Sequence, residues 1–246
     1  MARSAPKRGK LVKPTFDYYK KEDFAKAQLL FEDLIPLIKV DTIGEKVFFM
    51  YAYTHYNQKS YSLASYYFKQ FFNTYGNSAK SEEALFMSAM SQYKLSPTYR
   101  LDQSETNKAI EGFQMFANSF PGSNRVDRCN RMIDEMRRKL EFKAYESAYL
   151  YYKISDFKAA VYSFQQLLQD YPDTENAEKV KFMIIKSDYH LAVNSVTSKQ
   201  RERFEETLKQ YLDFVDTYPS STFKKEAEDI YDKAQAKLAA IKKGSY

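Results

Sequence analysis

The side chains best suited to acid–base or metal chemistry are few: His55, His190 and one cysteine, Cys129. A metal centre needs several such ligands converging, and a thiol nucleophile needs a base beside it. Asp188 and His190 lie two apart in a segment with helical spacing, so they point to different faces and cannot form a relay. His55 has no second histidine nearby and reads as a packing or rim residue. Cys129, in "RVDRCNRMIDEM", has no histidine near it in sequence and reads as a small packed side chain. A single cysteine also excludes an intramolecular disulfide. The chain contains no phosphate-binding glycine loop, no zinc-protease histidine pair and no nucleophile elbow, and its carboxylates are scattered among lysines as on solvated helix faces. No catalytic residue, cofactor or metal is expected. The chemistry left is that of surfaces, carried by 22 tyrosines and 19 phenylalanines.

Those aromatics recur in a fixed phrase: "FKQFFNTYGNS" (68–78), "FQMFANSFPGS" (113–123), "FQQLLQDYPDT" (164–174) and "YLDFVDTYPSS" (211–221). Phe113, Phe116 and Phe120 share one helix face, as do Phe68, Phe71 and Tyr75, then Phe164, Leu167 and Tyr171, then Tyr211, Phe214 and Tyr218. Gly76, Pro121, Pro172 or Pro219 follows at once and stops the helix. Four residues before each leading aromatic sits a small one: Ala64, Ala109, Ala160 and Thr207. Phe24, Ala27, Phe31 and Leu34 give a fifth, weaker copy. The phrase ends at 75, 120, 171 and 218 lie 45, 51 and 47 residues apart, a period of stacked helical hairpins.

A first helix precedes each phrase, with its own small residue at Ala52, Ala89, Ala148 or Ser187. Small residues on both partners let the helices of a hairpin approach closely. Insertions at 95–106 and 192–202 separate the helices of copies three and five. Residues 222–243 carry an apolar stripe at Ala227, Ile230, Tyr231, Ala234, Leu238 and Ile241 with a charged remainder, as a solenoid's terminal cap requires.

Six glycines and seven prolines in 246 residues, with no run of alternating β-branched residues, agree with an almost wholly helical chain. The net charge of +6 is local: Arg3, Lys7, Arg8, Lys10 and Lys13 account for five of it, leaving +1 for residues 14–246. A nucleic-acid binder would carry its basic stripe on the folded body, so none is expected. Residues 1–16 read as a basic, solvated arm. No apolar stretch approaches the roughly 20 residues that span a bilayer.

The small–small–aromatic–proline spacing over roughly 15–221 resembles the tetratricopeptide repeat. The resemblance implies an all-α, tetratricopeptide-like superhelical solenoid of about five hairpins plus a C-terminal capping helix, with the first helices lining the concave side. Registered on the small residues, that side carries Lys46, Phe49, Tyr53, Tyr56 and Asn57 in copy two. Copy three gives Glu83, Phe86, Met90, Tyr93 and Lys94; copy four gives Phe142, Tyr145, Tyr149, Tyr152 and Lys153. Tyrosine offers a large contact area with a hydrogen-bonding tip, suited to an extended or partly folded peptide. Any single ring on such a helix can equally pack against the neighbouring hairpin.

Longer stretches, 56–123, 153–174 and 190–219, and above all the insertion "LSPTYRLDQ", resemble the outer-membrane assembly lipoprotein (BamD) family in its Bacteroidetes-like form. That resemblance implies a non-enzymatic adaptor at the periplasmic face of the outer membrane. It would dock to the periplasmic domains of the barrel-forming subunit BamA through residues 124–246 and receive unfolded outer-membrane proteins through 17–123, with further assembly subunits as possible partners. Candidate substrate contacts are Tyr19, Lys46, Phe49, Tyr53, Tyr56, Asn57, Phe86 and Tyr93; candidate docking contacts are Tyr145, Tyr149, Tyr152 and Lys153. The family's export segment and lipid-bearing cysteine are not visible in "MARSAPKRGKLVKPTF", so anchoring rests on the resemblance alone. Two alternatives remain: another periplasmic cell-envelope tetratricopeptide protein, which would more often begin with a coiled coil, and a cytoplasmic peptide-docking scaffold. The latter grips a terminal carboxylate with basic and amide side chains, of which copy two offers only Lys46 and Asn57.

Overall fold

The computed structural model describes residues 5–38 and 41–243, and among these all regular structure is helical. Five consecutive hairpins account for ten of the helices: α1 (Ala5–Lys20) with α2 (Phe24–Leu34), α3 (Thr42–Asn57) with α4 (Tyr61–Thr74), α5 (Ser81–Leu95) with α6 (Ser104–Ser119), α7 (Val126–Lys153) with α8 (Phe157–Asp170), and α9 (Ala177–Val193) with α10 (Thr197–Thr217). A last helix, α11 (Lys224–Lys243), packs on α9 and α10. The chain divides into two compact units at Arg137/Arg138, within α7 and beyond the boundary at 123/124 that the sequence suggested.

The small residues sit where the spacing required. Ala52, Ala64, Ala109, Ala148, Ala160, Ser187 and Thr207 are fully buried and Ala89 nearly so, while the phrase phenylalanines Phe68, Phe71, Phe113, Phe116, Phe164 and Phe214 are the largest fully buried side chains beside them. How close the helices come is clearest at Gly112 of α6: a Cβ there would lie 3.0 Å from the Ala89 Cβ and 2.8 Å from the Gln92 amide oxygen of α5.

The last residue of each phrase has a task that the periodicity did not reveal. The hydroxyls of Ser78, Ser123, Thr174 and Ser221 accept from the backbone N–H two residues on and donate to the same hairpin's first helix, to Glu45, Glu82 and Glu178 in its first turn and to Glu141 midway along α7. The first two of these side-chain bonds measure 2.9 and 2.7 Å. Each hairpin from the second to the fifth is thereby tied at its open end. At the other end, hairpins one, two and four share one turn, with Glu22, Lys59 and Ser155 at φ of 58°, 61° and 64°. That left-handed residue lets backbone N–H groups close on the final carbonyls of the first helix, a Schellman-type stop.

Two expectations need correction. Residues 5–16, expected as a solvated arm, belong to α1. Thr15 is buried, and Leu11, Val12 and Phe16 pack against the cluster of Ala27, Phe31 and Leu34, an apolar stripe that holds the helix through Pro14. The second insertion mostly extends α10, which begins at Thr197, leaving only a short connection after Val193. The capping stripe is as expected: Ala227, Ile230, Ala234 and Leu238 are buried.

Candidate functional site

In the N-terminal unit, first-helix side chains from α1, α3 and α5 converge. Tyr19, Tyr53 and Tyr56 are half-buried; Tyr53 donates its hydroxyl hydrogen bond to the Glu83 carboxylate, which also lies close enough to act on Tyr19. Burial pushes the Tyr53 and Tyr19 phenols above their usual range, and the Glu83 charge adds to it. Tyr56 packs edge-on against Tyr61, with ring centroids 5.3 Å apart, and burial raises its phenol also. Tyr93 forms a separate pair, donating to Glu135 at 3.0 Å. Phe49 and Phe86 belong to the core: only 9% and 5% exposed, they pack under Phe68 and Phe71 and beside Phe113 and Phe116 respectively. Three residues before the small anchor, the helix turns inward, so these rings support the surface rather than form it. Cations cover them: Lys80 Nζ lies 5.1 Å from the Phe49 centroid, and the Arg125 and Arg128 guanidinium carbons each 5.3 Å from Phe86. Lys46 is exposed over Phe16, and Asn57 is exposed without joining the group.

The C-terminal unit is built differently. Tyr145, Tyr149 and Tyr152 of α7 are half-buried and stack in sequence, Tyr145 on Tyr149 at 6.0 Å and 15°, Tyr149 on Tyr152 at 6.2 Å and 12°. Among the described residues their hydroxyls form no hydrogen bond to another side chain. Lysines flank the rings instead: Lys179 Nζ lies 4.4 Å from Tyr145, Lys153 4.7 Å from Tyr149 and Lys186 6.0 Å from Tyr152. Lys186 is held from the other side by Glu226 at 2.8 Å. His190 extends the ladder, stacked on Phe157 at 5.0 Å, and burial lowers its pKa. The structure thus brings all four docking candidates together. Sequence reasoning missed Lys179, Lys186 and Glu135, whose partners lie a whole hairpin away in the chain.

The reactive side chains have structural positions. Cys129 is buried among Phe113, Phe116 and Met136, and burial pushes its thiol up to about 11, away from thiolate chemistry. His55 is buried and stacked on Tyr67 at 5.1 Å, with Nε2 unpartnered and its pKa lowered by burial. Asp188 is buried in α9. Its Oδ2 lacks a partner, and burial followed by the nearby Glu206 charge pushes it up to about 7. Among the described residues no three histidine, cysteine or acidic side chains are placed to hold a metal ion, and no helix is long and apolar enough to cross a membrane.

Consecutive tied hairpins and a terminal cap define a helical-repeat protein. Comparison with known proteins narrows the class. A family model described as an outer membrane lipoprotein, YfiO, matches residues 10–203 and 143–242, and the chain belongs to that family. A protein of Aquifex aeolicus (strain VF5), described provisionally as outer membrane protein assembly factor BamD, is 24% identical over 213 residues, covering 86% of this chain and 69% of that protein. Among solved structures, the yeast histone chaperone Hif1 aligns over 98% of this chain and 96% of its own with 11% identity and a TM-score of 0.31. Outer-membrane association follows from the family.

Proposed function

We propose that this protein is an adaptor of outer-membrane β-barrel assembly, working at the periplasmic face of the outer membrane. Its C-terminal unit docks to the periplasmic domains of the barrel-forming subunit through Tyr145, Tyr149, Tyr152 and Lys153. Its N-terminal unit receives unfolded outer-membrane protein segments on Tyr19, Tyr53, Tyr56 and Tyr93, with Lys46 and Asn57 at the exposed edge.

The observation that carries this reading is the pairing of rings with opposite charges in the two units. Barrel strands alternate apolar and polar residues, and an extended strand brings unpaired N–H groups. Tyrosine rings bordered by Glu83 and Glu135 offer apolar contact and acceptors together. A folded partner needs no backbone acceptors; it needs area and charge fixed in place, which stacked rings capped by Lys153, Lys179 and Lys186 provide. Affinity purification from detergent-solubilised outer membranes, with this chain as bait, tests the reading. Recovery of the barrel-forming subunit is the expected result; recovery of cytosolic chaperones alone would reverse it.

A further inference from the structure

Within the N-terminal unit, the second helices α4 and α6 flank the first helix α5, which forms the floor of the groove between them. Counted from the small anchors Ala64, Ala89 and Ala109, the positions one after, one before and three after are Ser65, Ser88 and Gly112. Ser88 donates a hydrogen bond to the Ser65 carbonyl at 3.0 Å, and a Cβ at Gly112 would already press on Ala89, so the floor lies low. A cleft of about 490 Å³ is left above it, walled by Tyr66 and Lys69 of α4 and by Met115 of α6.

The other hairpins do not write this space in small residues. Across α2, α3 and α4 the same three positions are Gln28, Tyr51 and Tyr67, whose rings pack with centroids 4.6 Å apart, with His55 stacked on Tyr67. Across α8, α9 and α10 they are Val161, Lys186 and Gln210. Lys69 is also particular to this groove: five residues after the anchor, the others carry Glu32 and Gln165. Its Nζ lies against the Met115 sulfur and 5.7 Å from the Phe72 ring centroid, with no carboxylate paired to it among the described residues. Burial lowers its pKa, and no neighbouring acid offsets that. Of the acids lining the cleft, Glu105 is held by Lys108 at 2.7 Å and Glu111 is exposed.

We propose that this cleft binds an extended segment of a partner protein, seating an acidic side chain on Lys69 and an apolar one, two residues away, against Tyr66 and Met115. A half-buried cation bordered by a thioether and a ring gains a charge-assisted hydrogen bond from a carboxylate without either group returning to bulk water. Tyr66 and Met115 are 54% and 42% exposed and supply the apolar contact. The spacing follows from geometry: Tyr66 stands about one helical turn, roughly 5 Å, before Lys69, close to the roughly 6.6 Å between alternate residues of an extended chain. Lys69 lies part-way along a trough lined from Ser62 to Asn73, so the acid belongs within a passing chain rather than at its end. Ser62, Asn73 and Gln92 offer donors and acceptors to the unpaired backbone of such a chain. A helix, at least about 10 Å wide, would meet the contact that Lys69 and Met115 make across the trough, and has no free backbone groups for those side chains. Ser88 and Gln92 lie on the other side of α5 from Glu83 and Tyr93, and nothing here rests on the roles proposed for the tyrosines.

The test screens arrayed nonapeptides against the full chain by fluorescence anisotropy. The peptides are acetylated and amidated at their ends, with Glu, Asp, Gln or Asn at the centre and the other positions varied. Acid-centred peptides with an apolar residue two positions away should bind at least tenfold tighter than their amide counterparts. Lys69→Gln should remove that preference without moving the melting curve; if it moves the melt, Tyr66→Ser replaces it and should weaken binding at least fivefold. A benzophenone at the apolar position should crosslink to Tyr66 or Met115. No preference for an acid, binding indifferent to the substitutions, binders that turn helical by circular dichroism, or crosslinks to Tyr53 or Tyr56 would overturn the proposal. Receipt of unfolded segments on the inner tyrosines is read separately with Y53A/Y56A, so failure at the cleft leaves that reading untouched.

Discussion

The two units solve the same packing problem with the same parts and then finish their first-helix faces in opposite ways. In the N-terminal unit the tyrosine hydroxyls are already engaged, Tyr53 with Glu83 and Tyr93 with Glu135. In the C-terminal unit the three tyrosines of α7 stack on one another, have no side-chain partner for their hydroxyls among the described residues and take lysines on their faces. A repeat fixes where the rings stand; the charges brought by neighbouring hairpins decide what the rings can hold.

The largest effect separates support from surface. Phe86→Ala should destabilise the N-terminal unit by about 3–5 kcal/mol, as removal of a core ring does, whereas Tyr149→Ala should cost under about 2 kcal/mol because its ring is half exposed. Denaturant titrations give both values, and equal losses would erase the distinction drawn between the positions.

Two buried titratable groups, Asp188 in the C-terminal unit and His55 in the N-terminal one, respond oppositely to pH. The folded-state pKa of Asp188 lies above its ordinary 3.8, at about 7, so the fold binds the extra proton and loses stability as pH rises between those values. Asp188→Asn should therefore stabilise the protein at pH 8, by at most about 4 kcal/mol, and make no difference by pH 4. His55 is lowered by burial, so its neutral form belongs to the fold and stability falls as pH drops below its ordinary 6.5. Thermal melts of D188N and H55Q across pH 4–8 should show these opposite slopes; a D188N gain that persists at pH 4 would assign it to packing instead.

Smaller changes refine the faces. Tyr53→Phe removes a hydrogen bond to a half-buried carboxylate and should cost about 1 kcal/mol, while Tyr149→Phe should be neutral in the same denaturation assay. Lys179→Ala removes a cation from the Tyr145 face, worth about 0.5–1 kcal/mol, so docking affinity measured by surface plasmon resonance should fall two- to fivefold.

The hairpins, their small contact residues and the cap were legible because each is a local pattern, repeated, in which one face of a helix must be apolar. The terminal hydroxyl–glutamate ties were written in the same phrases, at Ser78, Ser123, Thr174 and Ser221, yet their acceptors lie more than thirty residues upstream, beyond any helical period. Helix α1 was hidden by its lysines and Pro14, which masked the stripe from Leu11 to Tyr19. Phe49 and Phe86 read as surface because register alone does not say how far a hairpin rotates toward its neighbour. The chain shows Asp188 only as one acid among lysines; its burial is a property of α9 in place.

The division of labour between the units is tested most directly by a double dissociation. Binding of an unfolded outer-membrane protein segment and of the barrel-forming subunit's periplasmic domains would each be measured against Y53A/Y56A and against Y145A/Y149A. The account predicts that the first pair weakens only the unfolded segment, by tenfold or more, and the second only the folded domains. If both pairs impair both ligands alike, or the effects are exchanged, the two faces do not do the separate work assigned to them.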